Sequence, residues 1–124
     1  MLFFPQNEQR YGHACGVVNN VLYAVGGDYS TILASVEKLP LDAPDQWTAG
    51  PPLPHSVAYP LIAGYNGDLW ILGGLSGTNY IEIDTILTLK AARPVQWELR
   101  GEKLQFKRNM AISWLVSIDE VDCK

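Results

Sequence analysis

The sequence predicts an all-β fold made of successive four-stranded antiparallel sheets, and three observations carry that prediction. An apolar run ending in two glycines occurs twice, as Val21-Leu22-Tyr23-Ala24-Val25-Gly26-Gly27 and, 47 residues on, as Asp68-Leu69-Trp70-Ile71-Leu72-Gly73-Gly74. Eleven glycines and eight prolines are scattered along the 124 residues instead of forming one tract, the distribution expected of many turns between short strands. No segment keeps a helical period for the 10 to 12 residues that a helix needs.

Each repeat opens with a hairpin. Ala14 to Val18 and Val21 to Val25 are apolar strands on either side of Asn19-Asn20, a tight-turn pair, and Asn66-Gly67 marks the equivalent turn later. A loop from Asp28 to Ala34 leads to a third strand near Ser35 to Leu41. A turn at Asp42 to Asp45 then leads to a short fourth strand around Trp47. Ser35-Val36 through Leu39, Pro44, Gln46 and Trp47 recur as Thr85-Ile86 through Leu89, Pro94, Gln96 and Trp97, 50 residues on. The three added residues fall between Gly74 and Thr85. Four strands per repeat make a propeller blade. A third register begins at Arg108-Asn109-Met110-Ala111-Ile112, which aligns with Arg10 to Ala14, and it reaches Lys124 without a further Gly-Gly. The expected organisation is a leader at 1–9, repeats at 10–56 and 57–107, and an incomplete repeat at 108–124.

A Gly-Gly closing the second strand, then a Trp some twenty residues later, then a Leu-Pro ahead of the next strand, resembles the kelch repeat of kelch-like and BTB-kelch proteins. The resemblance runs from Arg10 to about Ile118, and it departs from the family where Leu39 and Leu89 replace an aromatic of the third strand. It implies a partial kelch-type β-propeller: two antiparallel blades and the first strand or strands of a third. It also implies a protein-interaction module, with the substrate-recognition part of a ubiquitin-ligase adaptor as a possible setting in a longer parent. No BTB or F-box sequence is found here. A truncated product without independent activity, or part of a catalytic propeller of oxidase or sugar-acid epimerase type, are the alternatives.

Composition limits other functions. The chain is 48% hydrophobic and 18% charged, in the range of an ordinary folded domain. Met1-Leu2-Phe3-Phe4 is halted by Pro5 with no preceding base, unlike a signal peptide, and no apolar run approaches the length of a membrane helix. A net charge of −4 disfavours nucleic acid. Cys15 and Cys123 show no ligand spacing, and reduced thiols in a cytoplasmic protein are expected. Residues 1 to 85 hold eight acids and two bases, whereas 86 to 124 hold five acids and seven bases. The basic cluster Arg93, Arg100, Lys103, Lys107 and Arg108 suits an acidic protein partner.

The binding candidates follow from residue chemistry. Tyr29 and Ser30 in one long loop, and Asn79 and Tyr80 in its counterpart, combine rigid aromatic area with adaptable polar groups. By the kelch resemblance, Arg10 and Arg108 occupy the first-strand position from which substrate adaptors present an arginine, and Val57 fills it in the second repeat. A guanidinium fork there would grip a partner carboxylate. Arg100 joins them as part of the basic cluster. The glycine pairs lack the Lys-Ser/Thr of a phosphate loop and are expected to end their strands. Trp47 and Trp97 are expected to fill the wedge between blades. His13 and His55 have no acid or nucleophile motif beside them, and Asp42, Asp45, Asp119, Glu120 and Asp122 fit no ion-binding loop. Neither a catalytic nor a metal site, and no cofactor, is expected. Apolar flanks meant for missing blades predict self-association, or completion by further blades.

Overall fold

The computed structural model describes residues 9–92 and 95–104. The expected leader before residue 9, the third repeat, Arg93, Lys107 and Arg108 lie outside the described residues. Ten strands follow one another: β1 (Ala14–Val18), β2 (Val21–Val25), β3 (Asp28–Tyr29), β4 (Thr31–Ile32), β5 (Val36–Pro40), β6 (Thr48–Ala49), β7 (Leu61–Tyr65), β8 (Asp68–Ser76), β9 (Ile81–Leu89) and β10 (Trp97–Lys103). They build two four-stranded antiparallel meanders, β1-β2-β5-β6 and β7-β8-β9-β10, with β3 and β4 forming a two-stranded ribbon of their own. The all-β architecture read from the sequence is the one observed, and no helix occurs among the described residues.

Turn chemistry sets the hairpins. Asn19 and Asn20 both take positive φ, 53° and 63°, as do Asn66 and Gly67 at 53° and 80°. Left-handed conformations at both central positions match the twist of the flanking strands, and asparagine and glycine reach them at low cost. In β1 and β2 this turn aligns Val18 with Val21 and Ala14 with Val25.

Packing then joins the sheets. Tyr23 and Val25 of β2, with Val18 and Val36, meet Leu69, Ile71, Leu87 and Leu89 of the second sheet in one core, which Leu53 and Val57 of the connecting segment complete. Strand alternation sends Leu22 and Ala24 to the opposite face, where they cluster with Leu39 and Trp47. The positions one repeat later than Leu22, Ala24, Leu39 and Trp47 are Leu69, Ile71, Leu89 and Trp97, and these point back at the first sheet. Each sheet thus offers its successor one face and its predecessor the other, the succession a propeller requires. Trp97 fills the space between sheets as expected, and its Nε1–H donates to the Pro51 carbonyl at 2.9 Å. Leu22, Ala24, Leu39 and Trp47 are themselves buried, so the far face of the first sheet is not the bare apolar flank that the sequence led us to expect.

The glycine pairs differ between repeats. Gly26-Gly27 does end β2: a Cβ at Gly26 would collide with the Val57 carbonyl oxygen, and Gly27 N–H donates to that same oxygen at 2.8 Å. Gly73-Gly74 does not end its strand, which corrects the expectation. β8 runs through it to Ser76 with a register shift between Leu72 and Gly74. The physical reason lies across the sheet, where Leu75 and Ser76 find partners in Glu82 and Ile81 of an equally long β9. In the first repeat, Asp28 and Tyr29 turn at Ser30 and pair with their own successors instead. Cys15 is disulfide-bonded and not the reduced thiol expected from the sequence.

Candidate functional site

The loops at the Gly-Gly end of the two sheets are fastened to each other. Tyr11 exchanges backbone hydrogen bonds with Asp28, donating at 3.0 Å and accepting at 2.8 Å, and this bridge fixes the base of the β3–β4 ribbon. The equivalent bridge in the second repeat joins Ala58 and Leu75. Tyr59 N–H donates to Gly12 O at 2.7 Å, and its ring lies over Gly12, where any side chain would collide with it. The second blade's entry strand is therefore laid against that of the first.

Side chains complete the link. The Tyr80 hydroxyl donates to Asp28 Oδ1 at 2.9 Å, joining the β8–β9 turn to the ribbon of the preceding blade. That bond, together with the nearby carboxylate charge, pushes the Tyr80 phenol above its ordinary pKa, because the neutral form is the donor. Tyr11 and Tyr29 stack at a tilt, ring centroids 6.4 Å apart. Below them, Ser76 Oγ donates to Ser56 O at 2.6 Å, and Gly77 N–H donates to Ser56 Oγ at 3.1 Å. Ser30 and Tyr80 hold positive φ, 69° and 53°. For a tyrosine this is an uncommon conformation, kept by the hydrogen bonds around it.

The result is an aromatic face. Tyr11 is 64% exposed, Tyr29 48% and Tyr80 41%. Asp28, half-buried, lies among them with Tyr59 at the margin. Of the residues named from the sequence, Tyr29, Ser30, Asn79 and Tyr80 belong to this face. Tyr11, Asp28 and Tyr59 were not anticipated. The repeat alignment makes Tyr11 and Ala58 equivalent positions, but only the structure shows that each bridges to the residue just after a Gly-Gly.

The arginines are placed otherwise. Arg10 is a correction: its side chain is 1% exposed, and Nη1 donates to Gly26 O at 2.8 Å and to Ser35 O at 3.0 Å. Its Nη2 stands 3.7 Å from Glu37 Oε1. The fork that was expected to greet a partner ties the end of β2 to the start of β5. A guanidinium matches that spot because one planar group can serve two carbonyls and a carboxylate at once. Arg100 lies on the second sheet, its guanidinium 4.9 Å from the centre of the Trp70 ring, and pairs with Glu102 at 2.9 Å. That contact holds the Glu102 carboxyl below its usual range. Lys103 stands 3.8 Å from Asp84. The described members of the basic cluster are therefore matched to carboxylates and do not form a free basic surface.

Residues 9–54 match the model of the Kelch motif. Beta-scruin of Limulus polyphemus is 32% identical over 71 residues, which is 56% of this chain but 8% of the length of that protein. The motif falls on the first sheet and its ribbon. The second sheet repeats the strand order, the positive-φ glycine pair and the inward tryptophan. Residues 9–54 thus carry a Kelch motif, and the described residues form two successive four-stranded antiparallel sheets of the same strand order, as blades of a partial propeller do.

Proposed function

We propose that this chain is a protein-interaction module that engages its partner through the loop face bearing Tyr11, Tyr29 and Tyr80. The observation that carries this reading is the exposure of three tyrosines on loops that backbone bridges and the Tyr80–Asp28 hydrogen bond hold in place. Rigid aromatic area loses little entropy on binding, and loops carried by sheets are the usual place for recognition. A photo-crosslinking residue introduced at position 29 or 80 should capture partner protein from cells, and the same residue at position 65 should not. Capture at 65 alone would overturn the proposal.

A second reading rests on the outer face of the second sheet. Tyr65 is exposed there and meets the Trp70 ring edge-on at 6.4 Å. These positions are one repeat beyond Val18 and Tyr23, which bury themselves against a following sheet. Self-association or completion by further blades would cover them, and light scattering after size exclusion at micromolar concentration tests it: a monodisperse monomer refutes self-association. The resemblance extends the first reading to substrate recognition for a ubiquitin ligase. Co-purification of ligase subunits with the full-length protein is the test of that role. Among the described residues, no helix is long and apolar enough to cross a membrane. Imaging of the tagged full-length protein decides between the cytoplasmic setting expected from the sequence and an oxidising compartment, where a disulfide at Cys15 would persist.

A further inference from the structure

We infer that the partner presents an arginine to this face, received by Asp28 and the rings of Tyr11, Tyr29 and Tyr80. The inference rests on the loop-face reading above and names the chemistry of its ligand.

Three observations lead there. First, Asp28 is a half-buried carboxylate with no ion-pair partner among the described residues. Its Oδ1 accepts from the Tyr80 hydroxyl. An ionised carboxylate has about four acceptor sites, so one neutral donor leaves most of its capacity unused. Second, four of the five described Lys and Arg residues pair with carboxylates elsewhere. Arg10 is buried against Gly26, Ser35 and Glu37, Lys90 pairs with Asp68 at 3.0 Å, and Arg100 and Lys103 pair with Glu102 and Asp84. Lys38 lies in the middle of β5, its backbone in register with Tyr23 of β2. Third, Tyr11, Tyr29 and Tyr80 beside Asp28 are exposed, and the faces of their rings attract cations.

A guanidinium meets all three conditions together. It is planar, it donates in a fork that fits a carboxylate, and it stacks on aromatic faces while remaining weakly hydrated. An ammonium supplies the charge but not the planar stacking surface. An acidic side chain would face Asp28 and be repelled. The sign is therefore opposite to that suggested by the basic cluster of the sequence, whose described members are already neutralised.

The test uses the whole chain with its tyrosine rings carbon-13 labelled, titrated with capped Gly-Arg-Gly, Gly-Lys-Gly and Gly-Glu-Gly peptides and followed by NMR. The arginine peptide is expected to shift the Tyr11, Tyr29 and Tyr80 resonances saturably, to leave Tyr23 and Tyr65 in place, and to bind more tightly than the lysine peptide. The glutamate peptide should shift none. Asp28→Asn keeps an oxygen for the Tyr80 hydroxyl and should weaken arginine binding about two- to fivefold, the range of one exposed charge pair. Tyr29→Ala should cost a similar factor through the lost ring. Equal binding of lysine and arginine, a preference for glutamate, equal shifts at Tyr65, or indifference to Asp28→Asn would each overturn the inference. Crosslinking at 29 and 80 without an arginine response would sink this inference alone. An arginine response without crosslinking would sink the protein-partner reading alone.

Discussion

Replacing Arg10 with methionine keeps an apolar stem of similar reach and removes the guanidinium that joins the end of β2 to the start of β5. Two short hydrogen bonds disappear, to Gly26 O at 2.8 Å and Ser35 O at 3.0 Å, and the buried Glu37 loses a cation at 3.7 Å. Deleting one partner of a buried charge pair costs about 3–5 kcal/mol, because the other charge stays behind unmatched. The separation from Glu37 is long for an ion pair, so the carbonyl contacts should dominate and the cost should fall near the lower end, about 3 kcal/mol. Against the roughly 5–15 kcal/mol that holds a domain folded, that is a large fraction. Urea unfolding followed by tryptophan fluorescence reads it. With a slope of about 2 kcal/mol per molar, the midpoint should fall by about 1.5 M. Glu37→Gln, which retains an acceptor, should cost only about 1 kcal/mol. A midpoint for Arg10→Met within about 0.2 M of the parent, at unchanged slope, would refute the fastening role. Equal losses from the two variants would show that the ion pair, and not the carbonyls, is the stronger contact.

Further outcomes follow from single contacts. Gly74 and Gly77 both hold positive φ, 104° and 78°, but a Cβ at Gly74 would lie 2.6 Å from Ala58 O, whereas none of the surroundings of Gly77 comes within 4 Å. Gly77→Ala should therefore cost about 1 kcal/mol for backbone strain alone and Gly74→Ala at least twice that, measured by the same urea titration. Trp97→Phe strips the donor from Pro51 O and should destabilise by about 1 kcal/mol, with a lower midpoint and an unchanged slope. The Ala91 N–H, and then Lys90, hold the Asp68 carboxyl below its ordinary range. A depressed folded-state pKa contributes stability above the unfolded value, and this is lost as pH falls through the folded one. The stability gap between the parent and Asp68→Asn should thus be full at neutral pH and close in acid below the ordinary aspartate range; a gap independent of pH would exclude this linkage. The Tyr80 phenol is raised by its bond to Asp28, so its ionisation in ultraviolet difference spectra should come late and move earlier in Asp28→Asn.

The strands and their turns were legible because their causes are local. Alternation of apolar residues, Asn19-Asn20 and Asn66-Gly67 at the hairpins, and glycines where the chain approaches itself all act within a few residues. The period near 47 to 50 then announced the repeated sheet, and Trp97 announced the wedge between the two sheets. Within the candidate site, Tyr29, Ser30, Asn79 and Tyr80 could be named from their place in loops after the glycine pairs. Tyr11, Asp28 and Tyr59 could not, since they gather only when the entry strand of one blade lies against that of the next. The continuation of β8 past Gly73-Gly74 depended likewise on the length of its partner β9, which no residue of β8 reveals. Arg10 marks the boundary most clearly. Its sequence position resembles that of a surface arginine, but Ser35 and Glu37, some 25 residues away, supply a carbonyl and a carboxylate that draw it inward. Residue types and spacing determined the elements of this protein; which polar groups met each other, and hence which stayed free for a partner, was decided only by the tertiary structure, because burial and charge compensation belong to pairs of distant residues and not to either one alone.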